Sequence, residues 1–124
     1  MKKIFPIFLI LFLVSISIAY AADINVDIIP VKDIILKGES AIFDIDITNL
    51  QDNLDRITYN VYDQNWEWEK KFYDINSGSM KRVTLTLTPF EDLNPDKYSL
   101  DLRVYSVNNP DIYVDESLII NYLD

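Results

Sequence analysis

Cysteine and histidine are both absent from this chain of 124 residues. With them go the thiolate nucleophile, the imidazole base and the common zinc ligand sets. No disulfide framework and no lipid anchor on cysteine can form, so a hydrophobic core has to hold the fold without a crosslink. Glycine is almost as scarce: Gly38 and Gly78 are the only two, too few for a glycine-rich phosphate cradle. The Asn-x-Ser/Thr sequon is missing as well, so no N-glycan is expected.

What is present begins with a leader. Lys2 and Lys3 form a basic start, Ile4 to Ile18 an apolar run, and Ala19-Tyr20-Ala21 a small-x-small site. Together they predict a secretory signal peptide over residues 1–21, cleaved after Ala21, ahead of one domain over residues 22–124. The alternative is an uncleaved anchor, which a run shorter than the ~20 residues of a spanning helix disfavours. Either way the expected location is secreted or at the cell surface. Loss of Lys2 and Lys3 moves the formal charge from -9 to -11. Such a surface repels phosphate backbones and anionic lipid, so neither nucleic acid nor membrane insertion of the mature domain is expected. The partner expected is a protein or a glycan at the cell surface.

Beyond the leader the dominant pattern has a period of two, the signature of half-buried strands. Ile24, Val26 and Ile28 share one parity until Pro30, which predicts a strand that lies at an edge or switches sheets there, with Val31 to Leu36 continuing in the partner sheet. Phe43, Ile45 and Ile47 point inward from a strand over Ala41 to Thr48, with Asp44, Asp46 and Thr48 expected in water. A polar loop over Asn49 to Asp55 leads to Ile57, Tyr59 and Val61. Trp66 to Ile75 is ambiguous: a bent strand or short edge hairpin is favoured by its aromatics, with one helical turn over Glu67 to Lys71 as the alternative. Val83, Leu85 and Leu87, then Tyr98, Leu100, Leu102 and Val104, give two more strands. A last strand carries Ile112, Val114, Leu118, Ile120 and Tyr122 on one parity, interrupted by Glu116. A carboxylate on that side predicts a bulge or an edge position.

About seven strands and no amphipathic helix of ordinary length predict an all-β fold, two antiparallel sheets packed face to face, with a small closed barrel as the alternative. The spacing Leu93-x-Pro95-x-x-Tyr98 resembles the tyrosine corner of immunoglobulin-like sandwiches. Gly38-Glu39-Ser40-Ala41-x-Phe43-x-Ile45-x-Ile47-x-Asn49 is similar to a strand of the CARDB domains, the cell-adhesion-related domains of bacterial and archaeal surface proteins. Ile75-x-x-Gly78 followed by Val83-x-Leu85-x-Leu87-x-Pro89 resembles a later turn and strand of those domains and of relatives appended to secreted α-galactosidases. The resemblance implies an immunoglobulin-like module serving as a spacer, adhesion unit or accessory domain, and it carries over no catalytic or cofactor-binding residue.

Only carboxylates remain for chemistry, and they are spread over strand faces and loops, so no enzyme is expected. Calcium is the ion they could serve, if Asp52, Asp55, Glu91, Asp92 and Asp96 converged at one end of the sandwich. The alternative is a solvated acidic surface. Trp66, Trp68, Phe72 and Tyr73 form the sharpest candidate for a ligand or partner surface, because indole and phenol rings anchor interfaces and stack on sugars. The competing reading is core packing, and Trp66 and Trp68 share parity. The leading expectation is therefore a non-catalytic structural or adhesion module, with carbohydrate binding by these aromatics as the alternative.

Overall fold

Alternation sets the architecture over residues 22–124, which the computed structural model describes; the expected leader lies outside the described residues. The strands are β1 (Ile24–Lys32), β2 (Ile34–Ile35), β3 (Ala41–Asn49), β4 (Asp55–Tyr62), β5 (Trp66–Glu67), β6 (Phe72–Ile75), β7 (Met80–Pro89), β8 (Asp96–Ser106) and β9 (Tyr113–Tyr122). They form a four-stranded sheet, order β1-β3-β7-β5, facing a five-stranded sheet, order β2-β9-β8-β4-β6. Since β2 and β5 have two residues each, seven longer strands carry the fold. The two sheets share no strand, so the arrangement is a sandwich and not a closed barrel.

Phe43, Ile45 and Leu85 from one sheet and Tyr59, Leu100, Leu102 and Leu118 from the other belong to a single buried cluster. Each fully buried aliphatic side chain of this kind contributes about 1.5–3 kcal/mol, which is how the fold dispenses with a crosslink.

The sheet switch near the N-terminus comes slightly later than Pro30. The strand β1 stays paired with β3 as far as Lys32, with a bulge between Pro30 and Lys32. Only Ile34 and Ile35 then join the partner sheet, parallel to Asn121 and Tyr122. Pro30 is accommodated because β1 lies at the sheet edge and the Pro30–Phe43 pair is one in which the backbone nitrogen points away from β3, so no ladder bond is left unmade.

Two polar expectations change. Asp46 does not face open water: Arg82 lies over it and donates from Nε and an Nη, at 2.7 and 2.9 Å. The ends of the Asn49 to Asp55 loop are buried rather than solvated, Asn49 being fully enclosed and Asp55 nearly so. Glu116 sits in regular register opposite Leu102, so there is no bulge. Its tolerance comes from position, because β2 covers only the last two residues of β9 and, among the described residues, the rest of that edge has no ladder partner. A charge on the inward parity of an edge strand also discourages pairing with a stray strand.

Trp66 to Ile75 is neither a helical turn nor a hairpin. It is an excursion between sheets, with β5 paired to β7 and β6 paired to β4. The crossing residues hang from β4: the Tyr59 hydroxyl donates to the Glu69 carbonyl at 2.8 Å and Thr58 Oγ1 to the Lys71 carbonyl at 2.6 Å. Those bonds satisfy backbone acceptors that no ladder reaches.

Candidate functional site

The four aromatics singled out by the sequence are brought to different places. Trp66 is only 2% exposed, between Tyr98 at 5.7 Å and Tyr122 at 6.5 Å, and does not reach the surface. Trp68 is half-buried, its ring 5.8 Å from that of Tyr59. Tyr73 packs partly against the core with the Lys81 ammonium 5.9 Å from its ring. Phe72 alone stands largely in solvent, at 48% exposure. Equal parity did not give the two tryptophans equal burial, because the chain leaves the four-stranded sheet right after Glu67.

Around Phe72 the pairing register assembles residues that the sequence reading did not group. On the outer face of the five-stranded sheet Phe72 lies opposite Thr58, Thr58 opposite Tyr105, and Tyr105 opposite Tyr113. The next row is Asn60, Arg103 and Asp115, and the one after it Tyr62, Asp101 and Ser117. Cations interleave the aromatic row. The Arg56 guanidinium is 5.2 Å from the Phe72 ring, Lys70 Nζ 5.8 Å from Phe72 and 5.2 Å from Tyr105, and the Arg103 guanidinium 3.9 Å from Tyr113. Lys70 also donates to Asn60 Oδ1 at 3.0 Å and to the Tyr105 hydroxyl at 2.6 Å.

Arg103 is held most firmly, donating twice to the Asp115 carboxylate at 2.7 and 2.9 Å. That hydrogen-bonded pair raises the pKa of Arg103 and lowers that of Asp115. A groove of about 490 Å³ opens beside it, lined by Tyr62, Asp101, Arg103, Asp115, Glu116 and Ser117. The clue available in the sequence was the outward parity of Asp101, Arg103 and Tyr105. Knowing which strand lies beside which was needed to use it.

The carboxylates suggested for calcium do not converge. Asp52 in the β3–β4 connection and Asp55 at the start of β4 stand at the end where Thr48 pairs with Met80. Glu91, Asp92 and Asp96 follow β7, at the opposite end, where Ala41 pairs with Leu87. Asp55 is also occupied, accepting from Gln51 Nε2 at 2.7 Å, the Arg56 N–H at 2.8 Å and Asn108 Nδ2 at 3.0 Å. Among the described residues no group of three or more metal-capable side chains comes together.

The tyrosine corner is in place, the Tyr98 hydroxyl donating to the Asn94 carbonyl. No family model matches the sequence, and no curated protein matches it. Solved structures do match. A FixG-related protein from Vibrio parahaemolyticus superposes with a TM-score of 0.70 at 11% identity, over 82% of this chain and 98% of that one. The cupredoxin domain of amoB from Nitrosocaldus yellowstonii gives 0.65 at 8% identity, over 84% and 89%. The CARDB domain of a Pyrococcus furiosus protein, solved in complex with di-metal ions, gives 0.58 at 12% identity, over 86% and 97%. At such identities the shared property is the fold, and this chain folds as a CARDB-like, immunoglobulin-like β-sandwich.

Proposed function

We propose that the protein is a non-catalytic module of the secreted or cell-surface compartment, with a structural or adhesion role. The observation that carries this reading is the division of labour in the sandwich. The inward parity is spent on one core. The outward parity of the five-stranded sheet carries exposed aromatics and cations suited to contact with a partner. The basic start, apolar run and Ala19-Tyr20-Ala21 site support the location.

Fractionation of the native cells with mass measurement of the product tests it. A chain beginning at Ala22, or anchored and accessible to external protease, is the expected result. An intact product starting at Met1 and confined to the cytoplasm would overturn the reading.

Carbohydrate binding is the second reading, favoured by exposed rings on a sheet face. The Trp66 to Tyr73 segment is not its best seat, since Trp66 is enclosed and only Phe72 of the four is well exposed.

A further inference from the structure

We propose that the groove between Tyr62 and the Arg103–Asp115 pair, on the outer face of the five-stranded sheet, binds a neutral glycan. The inference rests on the module reading above and names the class of its partner. Tyr62 is the starting point. Its side chain belongs to the outward parity of β4 and is 56% exposed, and no ring or cation lies over it among the described residues. Phe72, Tyr105 and Tyr113 each carry a cation near the ring. An exposed phenol ring offers an apolar face to the C–H side of a pyranose.

The polar groups stand where sugar hydroxyls need them. Asp101 is the cross-strand neighbour of Tyr62, and Ser117 that of Asp101, so the three occupy adjacent strands roughly 4.8 Å apart. The Asp101 carboxylate accepts from hydroxyls. The Arg103 guanidinium uses Nε and one Nη on Asp115, and its other terminal nitrogen, which has no acceptor among the described residues, can donate in a fixed direction. Its orientation is set before a ligand arrives, between Asp115 and the Tyr113 ring, which reduces the ordering cost of binding. The volume, about 490 Å³, falls within the ~300–1,000 Å³ usual for small-ligand sites.

Charge selects the class. Two carboxylates, Asp101 and Asp115, face the groove from the outward parity, Glu116 adds to its rim, and the one guanidinium is already neutralised by Asp115. Uronates and phosphorylated sugars are therefore repelled. A basic peptide laid along the same face would meet Arg56 and Lys70 beside the Phe72 ring, which disfavours it relative to an uncharged ligand.

Native affinity electrophoresis of the full chain tests the assignment, with xyloglucan, galactomannan, mixed-linkage β-glucan or α-mannan in the gel. Polygalacturonate serves as the anionic control, and a fluorescent oligolysine peptide is titrated in parallel. The expected result is retardation by at least one neutral polysaccharide, weakened about tenfold or more by Tyr62→Ala and by Asp101→Ala. Phe90→Ala, which removes an exposed ring away from this face, should leave retardation unchanged. Unaltered thermal midpoints would show that the variants fold. No retardation in any neutral gel, retardation by polygalacturonate alone, binding of the peptide alone, or full binding by Tyr62→Ala would each overturn the inference. Failure here with the protein still found at the cell surface leaves the module reading standing, whereas glycan binding by a cytoplasmic protein would remove that reading instead.

Discussion

Trp66 meets the edge of Tyr98 across the sandwich, their ring centroids 5.7 Å apart at an interplanar angle of 77°. One ring comes from the short strand β5 and the other from the start of β8, so this contact ties the excursion between sheets to the tyrosine corner. The indole Nε1 of Trp66 is buried and has no hydrogen-bond partner among the described residues. Trp66→Ala should therefore cost about 3–5 kcal/mol through lost packing. Trp66→Phe keeps a ring and removes the unpaired N–H, and should cost less than about 1.5 kcal/mol. Urea unfolding of both variants measures the difference, and equal losses would show that packing against Tyr98 and Tyr122 is not what Trp66 contributes.

Tyr98→Phe isolates the corner itself. It deletes the bond to the Asn94 carbonyl while leaving the ring contact with Trp66 intact. The expected loss is about 1 kcal/mol, read as a lower denaturant midpoint with an unchanged slope.

Asn49 should be far less tolerant. Its side chain is fully buried and donates to the Asn53 and Ile75 carbonyls at 2.9 and 2.8 Å, while Oδ1 accepts from the Gln51 N–H at 3.0 Å. Asn49→Ala leaves those groups without partners and should cost about 2–3 kcal/mol. Asn49→Asp keeps the acceptor but places a carboxylate against two carbonyls, so it should be no milder. Chemical unfolding of the two variants checks both statements, and a loss within ~0.5 kcal/mol for either would refute the bonding scheme.

Acid should weaken the fold through Asp46 and Asp55. The hydrogen bonds from Arg82 hold Asp46 below the ordinary carboxylate value of 3.8. Burial pushes Asp55 up, but the hydrogen bonds from Ser106, Gln51, Asn108 and the Arg56 N–H outweigh it and leave it lowered from 3.8. A carboxylate with a depressed folded-state pKa stabilises the native state fully above its unfolded value and loses that contribution as pH falls through the folded one. The melting temperature should thus drop on acidification below about pH 4. A variant carrying both Asp46→Asn and Asp55→Asn should start lower at neutral pH and show a shallower acid decline. A decline as steep as that of the parent would mean that other groups govern acid unfolding.

Much of the fold was legible along the chain. Phe43, Ile45 and Ile47, then Leu100, Leu102 and Val104, lie inward as their alternation demands, because the parity of a strand is a local property of its own residues. The tyrosine corner was readable for a similar reason, since Asn94 and Tyr98 are four residues apart. Where proline and turn residues punctuate the pattern, the strand breaks came within a few positions.

What required tertiary structure was everything that depends on which strand lies beside which. Asp46 and Arg82 are 36 residues apart, and only the pairing of β3 with β7 covers one with the other. Trp66 and Phe72 separate into core and surface because Trp66 faces inward from β5 and Phe72 outward from β6, and which sheet each strand joins sets which of its faces is covered. The carboxylates near Asp52 and near Glu91 divide between the two ends because β7 runs the length of the sandwich between them. Sequence by itself determined the alternation, the acidic balance and the dependence on a core without crosslinks, all of which follow from residue type and spacing. Strand order decided the outward face from Phe72 to Tyr113 and the groove beside Tyr62, because side chains distant in sequence become neighbours only through the ladder that pairs them.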